Sequence, residues 1–268
     1  MKRIQLIFSG VFAIMLVLWI MAEAPLWMGA SGTRRAGDAL MQGTGVLAII
    51  LMSLSLILAN RPHIVEPWIG GLDKMYRLHK WLGIANLIVA AIHWQSYGLV
   101  RGSETEASSA QAARNWEGLF PNQHDLAVFI GDQAWKLVLV LSILALVKRF
   151  PYRWFFKTHW LFVPTYLLLV FHAAVLLDSR YWLTPLGFVL TAVVLAGTVS
   201  GIVRLLYMHY SDHNGFLTAQ HLQQAVPQLA GAHIWFCGPA AMGKSLKDGL
   251  QQLGVPKEHF HQELFEMR

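Results

Sequence analysis

The sequence is short of charge. Asp, Glu, Lys and Arg together make up 13% of its 268 residues, against about 25% in an ordinary soluble domain. That deficit excludes a soluble globular protein as the first reading. Cysteine is nearly absent: with Cys237 alone no internal disulfide can form, so the fold must rest on packing and on a membrane. Acidic residues are fewer than basic ones, 15 against 21, for a net charge of +6. The Lys and Arg residues stand in short clusters between apolar runs, the pattern of loops that flank membrane spans. No nucleic-acid partner is expected.

What is abundant is apolar: 55% of the residues are hydrophobic and the mean hydropathy is +0.45. Six apolar runs near the length of a membrane span occupy residues 4–22, 40–59, 78–99, 131–147, 155–177 and 183–207. The first follows Lys2 and Arg3 and runs into Ala22-Glu23-Ala24, which has the look of a cleavage site. It exceeds the 7–15 apolar residues of a signal peptide and is read as an uncleaved helix. Asp132 and Lys136, near the start of the fourth run, are placed at the outer interface with Lys136 snorkelling toward water.

Orientation follows from the basic residues. With the N-terminus in the cytoplasm, Lys2, Arg3, Arg61, Lys74, Arg77, Lys80, Lys148, Arg149, Arg153, Lys157 and Arg204 flank the inner ends of the runs. Only Arg34, Arg35, Arg101, Arg114 and Arg180 flank the outer ends. The bias predicts a multi-pass protein of an inner or plasma membrane with both termini cytoplasmic. The longest outer loop, residues 100–130, is expected to be mobile over 102–113 and to fold its aromatic half, 115–121, onto the membrane surface.

Residues 208–268 change character. Tyr210-Ser211-Asp212-His213-Asn214-Gly215 is turn-like, and 218–225 suits a short helix. His233-Ile234-Trp235-Phe236-Cys237 reads as a strand, 240–253 as a helix and 260–265 as a second strand. The expected architecture is an all-α membrane protein: a six-helix transmembrane bundle over residues 1–207 with a small cytoplasmic α/β fragment over 208–268.

Four of the twelve histidines fall in the apolar helices: His79 and His93 in the third, His159 and His172 in the fifth. Ionisable residues inside a membrane are costly and mark function by default. His79 and His93 are 14 residues apart, which puts them within 40° of one face of an ideal helix and about 21 Å apart along it. His159 and His172 are 13 apart, about 19.5 Å and poorly phased on a straight helix, but Pro164 between them can change the winding. The two helices run the same way through the membrane, so His79 should face His159 near the inner leaflet and His93 should face His172 near the outer.

Two imidazoles facing each other at two levels suit two stacked bis-histidine haems, since neutral imidazole is a good iron ligand. Gly83, one turn beyond His79, leaves room for a flat macrocycle. Arg77, Lys80, Arg153 and Lys157 stand where propionates would need cations, although positive-inside flanking accounts for them equally. A proton relay is the competing use of membrane histidines, but it would usually enlist Asp or Glu, and these helices have almost none.

The run Gly71-Leu72-Asp73-Lys74-Met75-Tyr76-Arg77-Leu78-His79-Lys80-Trp81-Leu82-Gly83 with His93, and Lys157-Thr158-His159-Trp160 followed by Phe171-His172, resembles the ferric reductase-like transmembrane family, related to the NADPH oxidases. The resemblance covers residues 40–207. It implies that His79, His93, His159 and His172 ligate two b-type haems carrying electrons from the cytoplasm to the outer face, where ferric iron, a ferric chelate or oxygen accepts them. The tail is similar to the end of a ferredoxin-reductase-type nicotinamide domain, on Phe236-Cys237-Gly238-Pro239, Met242 and Glu263-Leu264-Phe265. In such domains the turn after Cys237 would lie near the nicotinamide; a small residue closing a strand is the alternative for that cysteine.

Members of this family also bind FAD and NADPH, on a flavin barrel and the first half of a nicotinamide domain placed between the last helix and this tail. The sequence shows no Arg-x-Tyr-Ser/Thr flavin motif and no Gly-x-Gly-x-x-Gly after a strand, so those two regions are expected to be missing. A separate flavin reductase or a quinol is then the expected donor. Two functions follow: a ferric reductase or oxidase-like enzyme, or a haem-carrying electron-transfer subunit with no catalysis of its own.

Overall fold

The computed structural model describes residues 2–27, 33–62, 64–102, 123–147, 149–214, 217–226, 228–238 and 240–264. It divides into two compact units, Met1–Leu205 and Leu206–Arg268.

The first unit is helical among the described residues. Its helices are α1 (Lys2–Trp27), α2 (Thr33–Ala59), the short α3 (Glu66–Ile69), α4 (Leu72–Gly102), α5 (Gln123–Leu146), α6 (Tyr152–Trp160), α7 (Phe162–Leu176) and α8 (Pro185–Asn214). Among the described residues, five stretches are long and apolar enough to cross a membrane: Arg3–Pro25, Ala36–Ala59, Gln123–Leu146, Lys157–Leu176 and Pro185–Leu206. Helix α4, at 31 residues, has the length but is not among them. Asn86, His93, Gln95 and Ser96 interrupt its apolar run, so polar residues, one of them a candidate ligand, dilute the signal. The expected count of six is met by length but not by apolarity.

The chain turns into α4 at Gly70 and Gly71, whose φ angles of 93° and 120° favour glycine because a Cβ would crowd the backbone there. This explains the glycine that opens the motif quoted above. Two apolar clusters hold the unit together. Leu51 of α2, Met75, Leu78 and Leu82 of α4 and Ile4 of α1 form one, with Ile69 of α3. Met15, Ile50, Val138, Tyr166, Leu186 and Leu190 join α1, α2, α5, α7 and α8 in the other. Tyr166 is fully buried and its hydroxyl is pinned between Ser53 Oγ at 2.8 Å and the Val194 carbonyl at 3.1 Å. Large apolar side chains such as Leu6, Ile14, Phe129, Leu195 and Val199 stand exposed on the outside. Such a surface marks an interaction site in a soluble protein and is ordinary where lipid is the solvent. The chain is therefore an α-helical, multi-pass membrane protein.

Several boundaries differ from the sequence expectation. Helix α5 starts at Gln123, eight residues before the expected run; after the polar Gln123, His124 and Asp125 the chain is already apolar from Leu126 to Ile130, so the apolar stretch is longer than expected. Asp132 and Lys136 consequently lie well inside the helix rather than at its mouth. They neutralise each other as an i,i+4 ion pair of 2.6 Å, which lowers the cost of charge at that depth, and Trp94 Nε1 donates to Asp132 at 3.4 Å. The turn expected at 210–215 is instead helical through Asn214. Most of the outer loop, 103–122, lies outside the described residues, and so do the expectations made for 102–113 and 115–121 apart from Gly102, which closes α4.

The second unit contains α9 (Ala219–Ala225), β1 (Ile234–Gly238), α10 (Ala240–Gln252) and β2 (Phe260–Leu264). Thr218 caps α9, its hydroxyl accepting from the His221 amide. The strands pair in parallel, with Ile234 opposite Phe260 and Cys237 opposite Glu263. Leu246 and Leu250 of α10 pack with Ala219, Leu229, Val255 and Phe260 into a small core.

Candidate functional site: two histidine pairs

Helix α4 carries His79 and His93, fourteen residues and about 21 Å apart. Their partners come from a helix that is not continuous. It breaks at Leu161, whose amide bonds the Thr158 carbonyl at 3.1 Å, a tightened i to i−3 turn three residues before Pro164. Proline has no N–H to offer the carbonyl four residues earlier, and the local rewinding supplies rotation that a straight helix would lack. His159 closes α6 and His172 sits in α7.

The structure brings all four together in the expected combination. The rings of His79 and His159 lie 5.9 Å apart between centroids, inclined at 64°. Those of His93 and His172 lie 6.2 Å apart, inclined at 88°. All four are half-buried.

Three of the rings are oriented from behind. His79 Nδ1 donates to the Ser55 carbonyl at 2.9 Å, His93 Nδ1 to the Met41 carbonyl at 2.9 Å, and His172 Nδ1 to the Ala127 carbonyl at 2.7 Å. A carbonyl can only accept, so the proton sits on Nδ1 and the lone pair on Nε2, the tautomer a metal ligand needs. His159 differs: its Nδ1 is buried with no hydrogen-bond partner. The ring is held by aromatic contacts, stacked on Phe155 at 4.9 Å and edge-on to Phe162 at 5.0 Å.

Two glycines that the sequence reading passed over stand behind the second pair. A Cβ on Gly45 would come within 2.9 Å of the His93 ring, and one on Gly131 within 2.3 Å of the His172 ring. The small residues let α2 and α5 close on the imidazoles, as small residues do generally between membrane helices. Their signal was a glycine inside an apolar helix. Gly83 is exposed, and nothing lies within 4 Å of the position of its Cβ.

Arg77 is exposed on α4, half a turn before His79. Cys237 belongs to the second unit, in β1; its side chain lies outside the described residues, as does Pro239. Glu23 was noted only as part of a cleavage-like sequence. It is a buried carboxylate, 2% exposed, that accepts a hydrogen bond from the Tyr181 hydroxyl.

The donor set suits haem. A metal between two imidazoles, with metal–nitrogen bonds of about 2 Å, sets ring centroids roughly 6 Å apart, the spacing found in both pairs. The buried, unpartnered nitrogen of His159 agrees with a group held among these helices.

Fold and site together define a multi-pass helical membrane protein with two histidine pairs stacked along its bundle. Over residues 44–170, which include His79, His93 and His159 and end two residues before His172, the chain matches the family described as ferric reductase like transmembrane component. The chain is 27% identical over 197 residues, 71% of its length, to the probable metalloreductase AIM14 of Lachancea thermotolerans, of which the match covers 35%. Two flavohemoproteins from strains of Bacillus cereus are 40% and 37% identical over 60 residues, 22% of this chain and 15% of theirs. The match thus spans about a third of the first relative and less of the others. No solved structure matches the chain.

Proposed function

We propose that the protein is a membrane oxidoreductase that holds two b-type haems in series, one on His79 and His159 and one on His93 and His172. Electrons pass from the cytoplasmic to the outer face, where ferric iron, a ferric chelate or oxygen accepts them. The observation that carries this reading is the matched spacing of two histidine pairs about 21 Å apart along one helix. Haem bound there supplies one-electron chemistry, its iron alternating between ferric and ferrous.

The chain's own residues prepare the ligands. The carbonyls of Ser55, Met41 and Ala127 fix tautomer and ring direction for three of the four histidines. Phe155 and Phe162 orient the fourth and keep water from its ring. Arg77 and its basic neighbours are assigned to the propionates at the inner end. In this reading α4 crosses the membrane as a sixth helix, with Asn86 and Ser96 buried in the bundle and both termini cytoplasmic. The unit Leu206–Arg268 is assigned as the end of a nicotinamide domain, with Cys237 at the nicotinamide, a reading to which the similarity to flavohemoproteins lends support. A separate flavin reductase or quinol is proposed as donor.

The test is the haem content of the purified protein. Two haems per chain with low-spin spectra are expected. A haem-free protein with intact helical circular dichroism overturns the proposal.

A further inference from the structure

The second unit carries a second group of histidines, unrelated to the membrane pairs. In the parallel pairing of β1 and β2, Ile234, Phe236, Phe260 and Gln262 fall on one face, and the three apolar ones pack into the core under α10. Alternation sends Trp235 and His261 to the other face, and His233 and His259, just before each strand, extend the same side.

There the rings gather. His233 Nδ1 and His261 Nε2 are 3.0 Å apart. The His233 and His259 rings stack at 4.2 Å, and Trp235 stacks on His261 at 4.2 Å. No helix covers this face among the described residues: His233 is exposed and Trp235 is 77% exposed. His259 Nδ1, by contrast, is buried with no hydrogen-bond partner. Core packing explains none of this, because the core lies on the opposite face.

We infer that this face binds one divalent late transition-metal ion, of the class Zn2+, Ni2+ or Cu2+, through His233, His259 and His261. Imidazole is the ligand these ions favour among biological side chains without thiolate. Two imidazole nitrogens bound to one ion at about 2.0–2.1 Å each lie roughly 3 Å apart when they are neighbours in its coordination sphere. His233 Nδ1 and His261 Nε2 already stand at that separation, sharing a proton that the ion replaces. His261 on β2, His259 two residues earlier and His233 just before β1 stand on one side of the sheet and can reach a common point above it.

No three His, Cys, Asp or Glu side chains among the described residues yet converge on such a point. The stacking of His259 on His233 is the reason, since stacked rings hold their lone pairs parallel. Rotating His259 about its side-chain bonds unstacks it and gives its unpartnered nitrogen a ligand. Trp235 forms an apolar wall over His261, and water completes the coordination.

The experiment uses the full-length, tag-free, haem-loaded protein in detergent, equilibrated with micromolar zinc, with zinc and iron per chain measured by atomic absorption. One zinc per chain is expected. His233→Asn and His261→Asn should each weaken it at least tenfold while leaving haem content and helical circular dichroism unchanged. His79→Ala and His93→Ala should leave zinc in place while losing haem, so the two sites fail separately. Zinc binding that survives both His233→Asn and His261→Asn, that disappears in His93→Ala, or that is absent altogether overturns the inference.

Discussion

His93 and His172 face each other across 6.2 Å at nearly a right angle, and each is held from behind by a backbone carbonyl, Met41 for one and Ala127 for the other. Neither carbonyl depends on the identity of its side chain. The helices α2 and α5 therefore act as rigid backstops that aim the two rings, and the pair can keep its geometry without any polar side chain beyond the histidines.

From this pairing, His93→Ala or His172→Ala should halve haem content to about one per chain and remove one component from a potentiometric titration. His79→Ala or His159→Ala should remove the other. A haem content unchanged by any of the four substitutions contradicts the ligand assignment.

The backstop argument makes Gly131 as important as the histidine it touches. In Gly131→Ala the new methyl would stand 2.3 Å from the His172 ring, so the ring must move. Loss of the haem on His93 and His172 is expected, with the other retained. Gly83→Ala is the contrasting variant. It meets no protein atom within 4 Å and should stabilise α4 by about 0.5–1 kcal/mol through helix propensity in the haem-free protein. It should also weaken retention of the haem on His79, because the methyl enters the space assigned to the macrocycle.

Tyr166 lies between the two levels yet serves the fold. Tyr166→Phe removes its bonds to Ser53 and to the Val194 carbonyl. Ser53 keeps its own bond to the Ile49 carbonyl at 2.7 Å. A loss of about 1 kcal/mol is expected, seen in thermal unfolding, with haem spectra unchanged. A spectral shift would mean that the tyrosine acts on the site.

In the second unit Leu250 is 1% exposed at the centre of a small core. Leu250→Ala should cost about 2–5 kcal/mol, a large share of what so short a segment can hold. Limited proteolysis should then cut within residues 206–268 while haem content stays at the wild-type level.

Membership of a membrane, the run of helices and the four intramembrane histidines were all legible in the sequence, because hydropathy and helical period are properties of short stretches read in order. The short strand, helix and strand of the tail were legible for the same reason. Helix α4 was legible as an apolar run although Asn86, His93, Gln95 and Ser96 hold it below the apolarity of a span. The start of α5 at Gln123 was not, because Asp132 and Lys136 interrupt the apolar run that already begins at Leu126. The carboxylate of Glu23 and the glycines 45 and 131 were not either, since what makes each of them matter is a contact with a residue far away in the chain.

The sequence by itself determined that this chain is a multi-pass membrane protein and that histidines stand at two levels along its helices, because charge content and spacing along a helix are one-dimensional. The pairing of His79 with His159 and of His93 with His172 was already expected from helix direction; only the tertiary structure decided how each ring is held. The phase between His159 and His172 depends on the tightened turn at Leu161, and the depth to which each ring is held depends on carbonyls and bare glycine backbone presented by α2 and α5. Those are relations between helices packed side by side, and close packing sets them across distances in the chain that no local pattern records.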